Sequence, residues 1–189
     1  MTKIKTKEIV ESLVQVFLYA GKISLELRSK GLTKEIKSDN TPVSNGDIEV
    51  NKIITKKISE TTPDIPIISE ETSDNKSNNN LKDFWLVDPI DGTNDYINDL
   101  EEFTINAGLI INKIPIAGLI YAPAKKRMFY SYGKDSAFEL TNNKIIKLGQ
   151  SNNSNKNEIK FVSYSNKIKP EIEQIHKSLN VKKCIRMKS

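Results

Sequence analysis

Apolar residues recur at helical spacing from the start of the chain: Ile9, Leu13, Val16, Phe17, Ala20, Ile23 and Leu27 fall on one stripe. A second helix is predicted after Ser44-Asn45-Gly46-Asp47, which reads as a capping box, with Val50, Ile54 and Ile58 on one face beyond it. The pattern then changes to short apolar runs. Those at 65–68 and 84–87 both end in acids, and strand-like segments follow at 103–111, 115–121, 127–131 and 137–140. Helices first and strands later predict an α+β protein built in packed layers. Two stretches rich in Asn, Ser and Lys, 72–82 and 150–158, read as loops. The second marks a domain boundary, dividing the chain into an N-terminal α+β domain, 1–150, and a C-terminal segment, 151–189. In the latter a strand is predicted at 159–163, a helix at 170–179 and a strand at 181–185. There is no internal repeat.

Chemistry enters at Phe84-Trp85-Leu86-Val87-Asp88-Pro89-Ile90-Asp91-Gly92-Thr93. The apolar half predicts a buried strand ended by Pro89, with Trp85 in the core and Asp88 at the carboxyl edge. The locked φ of Pro89 suits the first turn of a helix, which lets Asp91 point back toward a cation that Asp88 faces, with the Ile90 carbonyl joining them. Oxygen-only ligation selects a hard cation, and Mg²⁺ is the one usually held by one or two carboxylates together with substrate phosphate. The amides of Gly92, Thr93 and Asn94 stand at a helix start, where an anion is favoured. Ile65-Pro66-Ile67-Ile68-Ser69-Glu70-Glu71 is a second acid-terminated run, and a parallel neighbour would bring Glu70 toward Asp88. Taken alone, Asp88-x-x-Asp91 more often marks a strand end and an N-cap, and Asp47 a helix cap.

These segments, in this order, resemble the lithium-sensitive, Mg²⁺-dependent phosphomonoesterases of the inositol monophosphatase superfamily. The resemblance rests on Lys37-Ser38-Asp39-Asn40-Thr41-Pro42-Val43-Ser44 with Asp47, on 62–71, on the Asp88 motif, on Glu102-Phe103-Thr104-Ile105-Asn106 and on 118–123. Its details are most similar to the bacterial 3′(2′),5′-bisphosphate nucleotidase (CysQ-type) branch. It implies a layered α/β sandwich of the sugar phosphatase type and hydrolysis of a nucleotide bisphosphate such as adenosine 3′,5′-bisphosphate by metal-activated water. By position it implies that Glu70, Asp88 and the Ile90 carbonyl bind a first Mg²⁺, and that Asp88 and Asp91 share a second. Asp47 and Thr93 would orient the attacking water, and Gly92, Thr93 and Asn94 would bind the phosphate. Glu71 would reach the metals through water or stand as a solvated neighbour. Gly46 and Ser44 replace the family's usual Ala and Thr, which read as mild departures.

The larger departure is C-terminal. Where the family usually has Ile-Gly-Ser and then a Lys, this chain has Ile185-Arg186-Met187-Lys188-Ser189. The family's second domain also supplies a Trp-Asp pair whose Asp completes the second metal site. The resemblance therefore implies a complete N-terminal domain, a truncated C-terminal α/β domain with its last residues out of frame, and a weakened second cation site. A separately encoded C-terminal half or a second copy would complete the assembly. The alternatives are a decayed fragment that only binds metal and anions, and an inositol monophosphatase-like activity.

Net charge is +5, but the Lys residues are scattered and the one basic triplet, Lys125-Lys126-Arg127, reads as a turn between strands. A nucleic-acid groove would interleave basic and aromatic residues, so the expected partner is a small phosphate ester and not nucleic acid. The one cysteine, Cys184, excludes an internal disulfide framework and fits a reducing cytoplasm. His176, the one histidine, reads as a surface or half-buried helix residue. No apolar run is long enough for a signal peptide or a membrane span.

Overall fold

The computed structural model describes residues 3–37, 41–71, 80–149, 159–163 and 168–186. Residues 72–79 of the expected loop 72–82, the expected loop 150–158, the motif residues 38–40 and the tail 187–189 lie outside them. Internal contacts divide the chain into two units, Met1–Leu148 and Gly149–Ser189.

In the first unit, helix α1 (Lys3–Lys30) leads into an antiparallel pair, β1 (Lys34–Ile36) and β2 (Pro42–Ser44), and then helix α2 (Asn45–Thr61). Strands β3 (Ile67–Ser69) and β4 (Phe84–Asp91) precede the one-turn helix α3 (Thr93–Ile97). Strands β5 (Thr104–Ile111), β6 (Ile114–Ala122), β7 (Arg127–Ser131), β8 (Ala137–Thr141) and β9 (Lys144–Leu148) follow. The seven strands β3 to β9 lie in sequence order in one sheet. β3 and β4 run parallel, and every later neighbour is antiparallel.

Alternation sets the inner face of this sheet. Trp85 and Val87, Ile105 and Leu109, Leu119 and Met128 are all buried against α1 and α2. From the helices, Ile9, Val10, Leu13, Val14 and Phe17 meet Val50, Ile54 and Ile58 in the same cluster. Each fully buried chain such as Phe17, Leu13 or Ile54 contributes roughly 1.5–3 kcal/mol. Trp85 donates its indole N–H to Thr62 Oγ1 at 3.0 Å, so its one polar atom is satisfied inside the core. On the opposite face Leu86 and Ile120 remain about half exposed, at 52% and 48%, and Gly108 pairs with Gly118 between them.

Two expectations need correction. In α1, Val16, Ile23 and Leu27 are only half-buried, whereas Val10, Val14 and Ser24 are inside. The helix sits against both α2 and the sheet, so its inner arc is wider than one apolar stripe. Ser24 qualifies for the interior because its hydroxyl bonds its own helix, at Gly21 O. The strand β9 was not foreseen: all five of its residues are exposed on the sheet edge, and no alternation marks it.

The second unit contains β10 (Ile159–Ser163), α4 (Pro170–Ser178) and β11 (Val181–Arg186), with the two strands parallel. Pro170 opens α4, Glu171 and Glu173 stand in its first turn and His176 and Lys177 in its last, all in agreement with the helix dipole. His176 is half-buried against Phe161, ring centroids 4.0 Å apart. Among the described residues no helix is long and apolar enough to cross a membrane.

Candidate active site

The parallel register of β3 and β4 pairs Ser69 with Val87, and Glu70 continues the ladder by donating its N–H to Val87 O at 3.0 Å. Glu70 therefore arrives beside Asp88, as the two acid-terminated runs suggest. The end of β3 is pinned from below: Ser69 Oγ donates to Asn51 Oδ1 of α2 at 2.6 Å and accepts from the Glu71 N–H at 3.3 Å.

Asp91 reaches the same side by a different route from the one the sequence suggested. Pro89 does not end the strand, and no helix begins there; β4 continues through Asp91, and α3 starts at Thr93. The register against β5 pairs Asp88 with Asn106 and Asp91 with Thr104, so three steps on β4 oppose two on β5. This is a β-bulge, where a proline's missing N–H is tolerated. In a regular strand residues three apart point to opposite faces; the inserted residue turns Asp91 onto the face of Asp88. Asn106 follows on that face, donating Nδ2–H to Asp91 Oδ2 at 3.3 Å.

Asp47 serves two readings at once because a carboxylate has two oxygens. Oδ2 accepts from the Ser44 N–H at 2.9 Å and from Ser44 Oγ at 2.6 Å, closing the capping box of α2. Oδ1 accepts from Thr93 Oγ1 at 3.1 Å. Asp47 is 1% exposed, so these bonds stand in for its lost hydration. Thr93 Oγ1 also lies 2.9 Å from Ile90 O. A hydroxyl has one hydrogen, so Asp47 and the Ile90 carbonyl compete for it. A cation on that carbonyl would leave Asp47 as the acceptor and the Thr93 lone pairs available to water.

Gly92 introduces α3 with φ +91°, and a Cβ there would stand 2.7 Å from Glu102 O, so only glycine fits. Thr93 and Asn94 follow in the first turn, where a helix offers its N–H groups no carbonyl partner. Asn94 is exposed and accepts from Asn98 Nδ2 through its carbonyl at 2.8 Å.

The electrostatics follow from crowding acids. Burial, then the charges of Glu70 and Asp91, push the Asp88 carboxyl up to about 7. Its Oδ1 is buried with no hydrogen-bond partner. Among the described residues no three His, Cys, Asp or Glu side chains are drawn together tightly enough to hold an ion as they stand. The donor set nevertheless fits a hard cation: the carboxylates of Glu70, Asp91 and Asp88, the last with its orphaned buried Oδ1, and the Ile90 carbonyl, with no nitrogen or sulfur among them.

Sequence reasoning assigned no role to Lys37. Its Nζ lies 2.7 Å from Glu71 Oε1 and 3.8 Å from Glu70 Oε1. Burial works against the ammonium, but the bond to Glu71 and the charges of Glu71, Glu70 and Asp47 outweigh it and hold Lys37 above its usual value. Glu71, its side chain 4% exposed, is therefore an ion-paired group and not a solvated one. Asn51, Ser69 and Asn106 were also missed; only the folded register brings them to the acids. The triplet Lys125-Lys126-Arg127 lies at the β6–β7 turn, with Lys125 3.5 Å from Glu102 and Arg127 2.6 Å from Glu139.

Comparison with known proteins places this geometry in context. The model of the inositol monophosphatase family matches residues 5–188. A 3′(2′),5′-bisphosphate nucleotidase CysQ from Buchnera aphidicola is 40% identical over 120 residues, 62% of this chain and 45% of that protein. The chain spans about half the length of the curated relatives it matches. Among solved structures, CysQ from Bacteroides thetaiotaomicron superposes with a TM-score of 0.65 at 23% identity, over 96% of this chain and 71% of that one. An IMPase/NADP phosphatase complexed with Mg²⁺ and phosphate gives 0.74 at 17% identity, over 96% and 67%. These structural likenesses establish the fold.

Proposed function

Since this chain belongs to the inositol monophosphatase family, we propose that it is a Mg²⁺-dependent phosphomonoesterase. Its substrate would be a 3′-phosphorylated nucleotide such as adenosine 3′,5′-bisphosphate, hydrolysed to AMP and phosphate. The observation that carries the reading is the Thr93–Asp47 hydrogen bond standing beside the Glu70, Asp88 and Asp91 carboxylates. The CysQ name of the Buchnera relative supports the nucleotide over the inositol phosphate. The Mg²⁺ in the IMPase/NADP phosphatase structure supports the cation.

Glu70, Asp88 and the Ile90 carbonyl would hold one Mg²⁺, with Asp88 and Asp91 sharing a second. When bound, the metal supplies charge neutralisation at the phosphoryl oxygens and a water acidic enough to attack near neutral pH. Thr93 donates to Asp47 and accepts a hydrogen bond from the attacking water, which fixes the water's direction. Asp47 keeps the Thr93 hydrogen turned away from that water. The amides at Gly92, Thr93 and Asn94 bind the phosphoryl oxygens. The water oxygen forms the new P–O bond, the P–O bond to the ribose breaks, and the water's proton ends on the departing alkoxide.

Residues 151–189 belong, in this reading, to a second α/β domain. The reading also places the protein in the cytoplasm, in keeping with its single cysteine. The test is phosphate release from adenosine 3′,5′-bisphosphate with Mg²⁺, against Asp88→Asn and against inositol monophosphate. Release that needs both Mg²⁺ and Asp88 and favours the nucleotide is expected. No release above the Asp88→Asn control, from folded protein, would leave a site that keeps the motif without the chemistry.

A further inference from the structure

Helix α3 has five residues, too few to hold its own position, so its place in the fold must come from packing. Its anchor is Tyr96, which is 0% exposed. The phenol donates to Ser24 O of α1 at 2.7 Å, and the ring packs on Phe103 with centroids 4.9 Å apart. Arg28 covers the same two rings, 5.8 Å and 5.3 Å from their centroids, while bonding Leu100 O at 2.7 Å and Asp99 Oδ1 at 3.1 Å.

The other side of Tyr96 faces Gly46. A Cβ on Gly46 would overlap the Tyr96 hydroxyl oxygen and stand 2.7 Å from Cε1 and 2.8 Å from Cζ. The tip of a tyrosine can usually swing aside, but this one is buried and tied to Ser24. Gly46 lies in the first turn of α2, and its φ is not in the left-handed region, so the backbone does not demand glycine. A helix interior disfavours glycine relative to alanine. The requirement is for space.

Thr93 and Tyr96 stand three apart on α3 and share a face. Thr93 meets Asp47, and Tyr96 meets Gly46, its neighbour in sequence. We infer that Tyr96, seated on Gly46, is a positioning residue that sets the register in which Thr93 reaches Asp47. Its catalytic consequence rests on the hydrolytic function proposed above. Widening the α2–α3 joint withdraws Thr93 from Asp47 and misaligns the attacking water, and a misplacement of about 1 Å can cost on the order of a hundredfold in rate.

The test is a double-mutant cycle of Gly46→Ala, Tyr96→Phe and both together in the full chain, read in two ways. Steady-state phosphate release with Mg²⁺ should show Gly46→Ala lowering kcat by about tenfold to a hundredfold with a smaller change in KM. The double variant should recover most of the loss, because Phe removes the oxygen nearest the added methyl and frees the ring from Ser24. In metal-free protein, ¹³C-methyl threonine NMR should show the Thr93 methyl displaced by Gly46→Ala and returned toward its native position in the double variant. Should Gly46→Ala not fold, the double variant must still fold. Additive losses, a Thr93 methyl that Gly46→Ala leaves in place, or a double variant no better folded than the single one would overturn the inference. A wild-type chain without phosphatase activity whose methyl cycle still shows rescue would uphold the positioning role and remove the proposed function instead.

Discussion

Thr93 Oγ1 and Asp47 Oδ1 stand 3.1 Å apart across 46 residues of sequence, joining the first residue of α3 to the first turn of α2. The same Asp47 closes the capping box with Ser44. Helix geometry and the geometry of the candidate site are therefore one arrangement, and changes at either residue separate the two.

Thr93→Ala should lower phosphate release by about a hundredfold to a thousandfold, the range for losing one preorganised hydrogen-bonding group, while Thr93→Ser retains most of it. Asp47→Ala should lose activity as well and in addition cost about 0.5–2 kcal/mol of stability through the lost cap. Steady-state kinetics and urea unfolding on the same preparations check both.

Asp88 gives the metal-free protein a pH signature. Its carboxyl is raised from 3.8 to about 7, by burial first and then by Glu70 and Asp91. Between those values the native state holds a proton that the unfolded chain has released, so this contribution is complete below the lower value and lost as pH rises through the upper one. The thermal midpoint of chelator-treated wild type, minus that of Asp88→Asn, should therefore fall as pH goes from about 4 to about 7. Adding Mg²⁺ above that range should raise the wild-type midpoint and leave the Asn variant nearly unmoved. A flat difference across the range contradicts the crowding of acids at this strand end.

Gly92→Ala should destabilise by about 1–3 kcal/mol, because alanine must adopt φ +91° and its Cβ meets Glu102 O at 2.7 Å. The strain falls between the bulge and α3, so activity should vanish before folding does. Urea denaturation beside an activity assay reads the two losses separately.

Ser69→Ala removes the donor to Asn51 Oδ1 and the acceptor for the Glu71 N–H. About 1–3 kcal/mol of stability should go with it, because two hydrogen bonds are lost at a buried position. Glu70 loses its support, so more Mg²⁺ should be needed for half-maximal activity, which a metal titration measures.

Local pattern was enough for the elements whose signals are local. Val50, Ile54 and Ile58 marked the buried face of α2, Ser44 and Asp47 its cap, and the limits of β7 and β10 are those the alternation predicts. The acid-terminated runs anticipated the parallel pairing of β3 and β4, because that side-by-side arrangement depends only on where each run ends.

Other features depended on partners far along the chain. Pro89 read as a terminator, yet a bulge against β5 carries the strand through it, and the bulge turns Asp91 to the side of Asp88. Gly46 read as a mild departure until Tyr96, fifty residues on, was seen to fill the space of its missing Cβ. Glu71 read as a water-mediated metal neighbour or a solvated one, and the structure sets Lys37 against it. By itself the sequence determined which residues could ligate, cap and alternate, because these are properties of residue type and of spacing within one turn or strand. Tertiary structure alone decided which of them meet, because a register shift of one residue or the room for one methyl group is settled by the neighbouring element.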